Sequence, residues 1–303
     1  MILLRAVMGL TIVTSLALAA PLRAEPEITV TGQRLDREQA RAQAVDYVSK
    51  LGIARGITPA ARWIDPVCLK VLGVDAGIGG MVSARFQRIA SRVGVRLARP
   101  GCRANAVIAF TPDAAGYVRD LERREPSAFD ELGEVQLADM RGGNAPLRWW
   151  YRTGLRGADG DAVMAVPPLG FQITPEGGTS TGGGPTQDVF ASKVSSLIAT
   201  PGKRELKGAG VVVDVNLAQG KSLAAVGEFA ALVLLAEIRP LADPPPGSIL
   251  ALFAPGATVP DELTTQDEAM LKALYAMPLA REARFHRGKL VDGMTRAVLG
   301  EAK

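Results

Sequence analysis

The sequence predicts an α/β (α+β) domain behind a cleavable leader, and three features predict it. A strand, a helix and a second strand follow one another between Arg62 and Phe110, as in a parallel crossover unit. The stretch from Lys221 to Ile238 is apolar on nearly every face, as a helix at the centre of a core must be. The segment from Leu263 onward carries helix-start signals, so the C-terminal part is expected to be helical.

The leader is residues 1–24. Arg5 precedes an apolar stretch from Ala6 to Ala20, and Pro21-Leu22-Arg23-Ala24 ends on the small residue that a signal peptidase requires. Those 15 apolar residues fall short of the roughly 20 needed to span a bilayer. No cysteine stands near the junction to carry a lipid, and no later run is long and charge-free enough to span. The expectation is therefore a periplasmic or secreted protein of residues 25–303 with no membrane span after cleavage. Of the 35 Lys and Arg residues, Arg5 and Arg23 fall in the leader, which leaves 33 against 31 Asp and Glu. That near-neutral balance makes nucleic acid a poor partner.

After an alternating stretch at Glu25–Gly32, the apolar residues Ala40, Ala44, Val45 and Val48 recur at helical spacing before Gly52, which reads as a surface helix over 36–52. A strand is expected over Arg62–Gly73 with Pro66 near its start, then a helix from about Ile78 to Val93 that ends at Gly94, then a compact strand at Asn105–Phe110. Short helical pieces follow over 114–142, and Pro146–Thr153 has strand-favouring aromatic chemistry. Residues 176–185, Glu-Gly-Gly-Thr-Ser-Thr-Gly-Gly-Gly-Pro, read as a flexible surface loop. Val211–Asn216 is a further strand. Pro240 and the three prolines at 244–246 end the apolar helix, and Thr265 and Glu268 have capping-box spacing in the last one.

Cys68 and Cys102 are the two cysteines, and in an oxidising compartment they are expected to pair. Two cysteines cannot make a structural zinc site, and catalytic zinc wants three protein ligands where this chain has one histidine. His286, in Arg284-Phe-His-Arg287, is expected on a solvated surface. Neither a metal nor a cofactor is expected, and no serine or cysteine nucleophile has a histidine base within an evident motif.

Taken together, these pieces resemble the catalytic domain of the metzincins, zinc peptidases with a His-Glu-x-x-His-x-x-Gly-x-x-His helix followed by a methionine-bearing turn. Val226-Gly-Glu-Phe-Ala-Ala-Leu-Val-Leu-Leu-Ala-Glu237 falls on that motif. Glu228 takes the place of the catalytic glutamate, but Gly227, Ala231 and Glu237 stand where the three histidines would be. Leu234 replaces the glycine at which the family's chain leaves the helix, so the helix is expected to run on. Ser248-Ile249-Leu250 resembles the turn under the metal, with Leu250 in place of methionine. A closer resemblance is to exported bacterial domains of unknown function, carried by Arg62-Trp63, Pro66-Val67, Ala104-Asn105 and the Ser-Ile and Leu-Tyr endings. The resemblance implies a zincin-like twisted mixed sheet with a buried central helix, and no zinc chemistry.

Two candidate sites remain. Glu228 is a carboxylate on an otherwise apolar helix and must find a partner, with Arg62 or Arg148 as the cation, or serve as a cleft acid. Arg148-Trp149-Trp150-Tyr151 lies on the strand that would edge a cleft and could hold an extended peptide by strand addition. Alternation puts Trp149 and Tyr151 on one face and Arg148 and Trp150 on the other, so one tryptophan is expected to point outward. The leading reading is a non-catalytic binding or assembly protein with an unknown protein or peptide partner in the cell envelope. The alternative is a hydrolase of unrecognised mechanism that uses Glu228.

Overall fold

The first helix of the computed structural model, α1 (Arg37–Leu51), shows how directly the local chemistry is obeyed. Asp36 caps it by accepting from the Gln39 amide at 2.8 Å, and Gly52 ends it at φ +68°. It buries Ala40, Ala44, Tyr47, Val48 and Leu51, whereas Val45, expected on that face, is 49% exposed. Structure is described for residues 36–157, 200, 202–240, 242–258 and 261–301, with the backbone alone of four two-residue strands between 165 and 188. The leader at 1–24, the stretch to residue 35 and the Gly-rich loop at 176–185, apart from the backbone of Thr179–Ser180, lie outside the described residues.

The strand expected over 62–73 is two strands, β1 (Arg62–Trp63) and β2 (Leu69–Leu72), because the chain leaves the ladder around Pro66, which has no amide to donate. α2 (Ala76–Arg92) follows, capped by Asp75, and then β3 (Ala106–Thr111). α3 (Ala114–Arg124), a 3-10 turn at Pro126–Phe129 and α4 (Glu134–Gly142) lead to β4 (Leu147–Gly157). Two short pairings come next, β5 (Ala165–Val166) with β8 (Gln187–Asp188) and β6 (Gln172–Ile173) with β7 (Thr179–Ser180). β9 (Gly202–Asp214) begins nine residues before the strand expected at Val211, because Lys203, Arg204, Glu205 and Lys207 give its first half a polar sequence that carries no apolar run.

β9 is the axis of a twisted mixed sheet. β4 runs antiparallel along one side of it, while β3 and β1 lie parallel on the other, at Ala209–Asp214 and Glu205–Leu206 respectively. β2 is parallel to β3 and forms the far edge. The larger core lies on one face, against α1, α2, α5 (Leu223–Leu235), α6 (Thr265–Ala276) and α7 (Ala283–Val298), and a smaller one on the other face, under α3 and α4. Every residue of α5 from Ala225 to Leu235 is buried.

Two local expectations are corrected by the structure. α5 stops at Leu235 and Ala236 is extended, so the helix does not run on to Ile238 despite Leu234 in the glycine position. Trp63 donates its indole N–H to Leu234 O at 2.7 Å, and Tyr275 donates to Leu235 O at 2.8 Å, so side chains satisfy the terminal carbonyls. The capping box of α6 is Thr264 with Asp267, one residue earlier than expected, and Asp267 is wholly buried. Its carboxylate accepts from Tyr47 and Ser248 hydroxyls, each at 2.5 Å, and from the Ile249 and Thr264 amides at 2.9 and 3.0 Å. That one side chain joins α1, the turn after α5 and α6. α7, a second helix within the C-terminal part expected to be helical, buries Ala283, His286, Leu290, Val291 and Met294 along one stripe. Cys68 and Cys102 form a disulfide.

Candidate functional site

Among the described residues the sheet leaves one long backbone edge open. There β4 pairs with β9 alone, and Asp214 N–H donates to Pro146 O at 2.8 Å. With Arg148 opposite Val212 and Trp150 opposite Gly210, that bond assigns the inward hydrogen bonds to the even-numbered residues of β4. Leu147, Trp149 and Tyr151 therefore turn their N–H and C=O groups outward. The register shifts between Arg152 and Thr153, and beyond the shift Glu131 covers the edge by accepting from the Thr153 amide and, at 2.9 Å, from its hydroxyl.

The side chains of this strand alternate as expected, but neither tryptophan points to solvent. Trp149 donates to Ile238 O at 2.7 Å and meets Phe229 of α5 edge-on at 5.8 Å. The Tyr151 hydroxyl lies 2.7 Å from Val233 O and 2.9 Å from Ala236 O and accepts from the Ile238 amide at 3.0 Å, which closes the end of α5; burial pushes this phenol well above its ordinary range. Trp150 lies on the other face against Phe129, at 5.0 Å. Both indoles are buried because both faces of the sheet are covered, and because Gly210 opposite Trp150 leaves room for the ring. A Cβ at Gly210 would stand 2.3 Å from Trp150 Cζ2. Arg148 is 3% exposed, donating to the Ala145 and Gly143 carbonyls, with Nε unpartnered. Burial lowers its pKa, against the opposing pull of Asp214 and Asp113. Trp150 thus belongs to the framework, whereas Arg148 and Trp149 border the larger of two hollows beside this strand and Trp149 and Tyr151 the smaller one.

Beside the free edge lies an apolar cavity of about 380 Å³, walled by Leu147, Trp149, Phe229, Leu250 and Phe253 with prolines 146, 240, 244 and 255. A smaller hollow of about 60 Å³ continues past Tyr151 to Glu131 and Glu237, sharing Gln136, Trp149 and Pro240 with the first. The two make one groove along the exposed backbone. Its proline wall was missed in the sequence, where prolines 240 and 244–246 signal only the end of a helix.

Glu228 does not line this groove. It is 1% exposed, and its carboxylate accepts from Arg85 of α2 at 3.2 Å and from the Leu263 amide at 3.2 Å. Neither Arg62 nor Arg148 supplies the cation: Arg62 donates to Leu274 O and sits 5.5 Å over the Tyr275 ring. Gly227 and Ala231 offer no ligand atom, and Glu237, past the end of α5, pairs with Arg204 at 2.9 Å. His286 is fully buried and not on the solvated surface expected of it, because α7 turns it inward; Nδ1 accepts from the Ala60 amide at 3.1 Å, so Nε2 carries the proton and donates to Pro278 O at 3.1 Å. Among the described residues no three His, Cys, Asp or Glu side chains are grouped to hold a metal ion, and no helix is long and apolar enough to cross a membrane. No protein-family model, no curated protein and no solved structure matches the chain.

Proposed function

We propose that the chain is an exported, non-catalytic binding protein of the cell envelope, built on a zinc-peptidase-like scaffold that lacks its metal ligands, and that it holds an extended segment of a protein partner along β4. The observation that carries this reading is the row of outward backbone groups at Leu147, Trp149 and Tyr151 beside an apolar groove. An added strand would satisfy those groups, and its alternate side chains would enter the groove. The antiparallel edge strand, the buried helix α5 and the turn at Ser248–Leu250 support the scaffold part of the reading, as they follow in the order the resemblance implies. Glycine and alanine at two ligand positions, and a glutamate committed to Arg204 at the third, support the loss of metal chemistry.

The test uses a library of extended peptides and two variants at one position. Leu147→Pro removes an outward N–H without removing a bond of the β4–β9 ladder, whereas Leu147→Ala keeps that N–H and also loses the leucine side chain. Capture by the wild type and by the alanine variant, lost in the proline variant, is the expected result. Equal capture by both variants would dispose of strand addition, and zinc at one equivalent per chain by elemental analysis would dispose of the dismantled metal site.

A further inference from the structure

The opposite edge of the sheet carries a cavity of about 560 Å³ of a different character. Lys70 on β2 and Arg99 and Arg103 on the loop before β3 line it, and no Asp or Glu does. Among the described residues none of these three cations is in a salt bridge, although many other cations of the chain, Arg37, Arg41, Arg85 and Arg141 among them, are matched by a carboxylate. Arg99 and Arg103 are exposed beside the cavity, whereas Lys70 stands between Leu69 and Val71, which pack on the α2 side, so strand alternation turns its side chain to the other face and leaves two guanidinium groups at the cavity.

The loop is held so that the gathering persists. Ala98 N–H donates to Val67 O at 2.9 Å, and the Asn105 side chain accepts from the Cys68 amide at 2.7 Å and donates to Pro66 O at 3.1 Å. Between those two anchors the Cys68–Cys102 disulfide fastens the turn to β2, and Gly101 at φ +83° lets Cys102 N–H close it onto Arg99 O. Arg99 and Arg103 are therefore set on either side of a cystine-anchored turn, above a floor that includes Phe86 and Leu97.

We infer that this cavity is a second binding site, for a ligand that presents a phosphate-type polyanion. Two guanidinium forks match the oxygens of such a group, and the apolar lining suits a ligand with a carbon body beyond it. The disulfide is then part of the site, since it holds the turn that carries both arginines in place.

Titration calorimetry of the full chain with pyrophosphate, at matched ionic strength, tests the inference. The expected result is saturable binding at one per chain, weakened about tenfold or more by Arg103→Gln and by Arg99→Gln and unchanged by Lys289→Gln, a surface substitution on α7. Reduction of the disulfide should weaken it as well, and the two arginine variants keep the test decisive if the reduced chain unfolds. Vesicles of phosphatidylcholine with phosphatidic acid separate the two sources: co-sedimentation that Arg99→Gln abolishes identifies a lipid headgroup, and pyrophosphate binding without it a soluble phosphate. No binding of either probe, or binding lost equally in Lys289→Gln, would overturn the site.

Discussion

The two edges of the sheet solve the same problem in opposite ways. At the β2 edge the chain just before the strand is fastened, by a parallel bridge between Val67 and Leu97 and by the Cys68–Cys102 disulfide. At β4 three outward peptide groups are left beside a groove, and among the described residues Glu131, past the shift at Arg152, stops the exposed run. Unprotected strand edges invite pairing, so proteins blunt the ones they do not use. The contrast teaches where each kind of recognition can reside: charge on the edge that is covalently closed, backbone hydrogen bonding on the edge that is open.

The largest effect expected is on the closed edge. The disulfide spans 34 residues of sequence, and removing it with Cys68→Ala and Cys102→Ala should cost about 3 to 4 kcal/mol by the loop-entropy argument. Urea melts with and without reductant measure this. If the two edges are separate devices, peptide capture at β4 persists in whatever fraction stays folded, and loss of both activities in folded protein would break the comparison.

A smaller effect is expected from Gly210→Ala, which acts on the open edge from beneath. The new methyl group meets the Trp150 ring at 2.3 Å, too close for any real contact, so the ring and the strand that carries it must shift. Overpacking of this kind costs about 1 to 3 kcal/mol. Because Trp150 and the outward peptide groups share one strand, the same substitution should weaken peptide capture while leaving the basic cavity at β2 unaffected. A stable variant with unchanged capture would show that the edge tolerates a shift the register does not suggest.

Much of the fold was legible because its signals are local. The apolar spacing that ends at Gly52 and the Asn105–Phe110 run announce their elements within a few residues, whereas the caps Asp36 and Asp75 emerge only in the structure. The site was legible only in part, because its chemistry is settled across the chain. Trp150 can be buried only because a glycine 60 residues away faces it, and nothing in Arg148–Arg152 announces that partner. Glu228 is matched by Arg85, 143 residues distant, and not by the nearer-seeming arginines. The first half of β9 was hidden by Lys203, Arg204, Glu205 and Lys207; buried Glu205 meets Arg156 of β4 at 2.8 Å and Lys207 of its own strand, and Arg204 pairs with Glu237 beyond α5. The bounds of α7 were hidden by its arginines, although Ala283, His286, Leu290 and Met294 hold the spacing of a buried stripe.

The smallest effect expected lies on neither edge and sets the baseline for both. His286 is the chain's one histidine, fully buried as the neutral tautomer between Ala60 and Pro278. Burial lowers its pKa from the ordinary histidine value, Arg62 adds to the lowering, and the hydrogen bond to Pro278 opposes it. The unfolded chain therefore binds the proton first as pH falls. The stability that His286 contributes is complete above about pH 6.5 and is lost below it, at up to about 1.4 kcal/mol per pH unit until the folded form also protonates. Urea melts at pH 7.5, 6.5 and 5.5 should show that decline in the wild type and a flatter course in His286→Gln, since carboxylates titrate mostly below this window. A flat wild-type profile, or the same slope in the variant, would remove His286 as the cause. Because α7 and the segment entering β1 pack against the shared core, the loss falls on both edges alike. A pH dependence of peptide or pyrophosphate binding that exceeds this common decline would then belong to the edge that shows it.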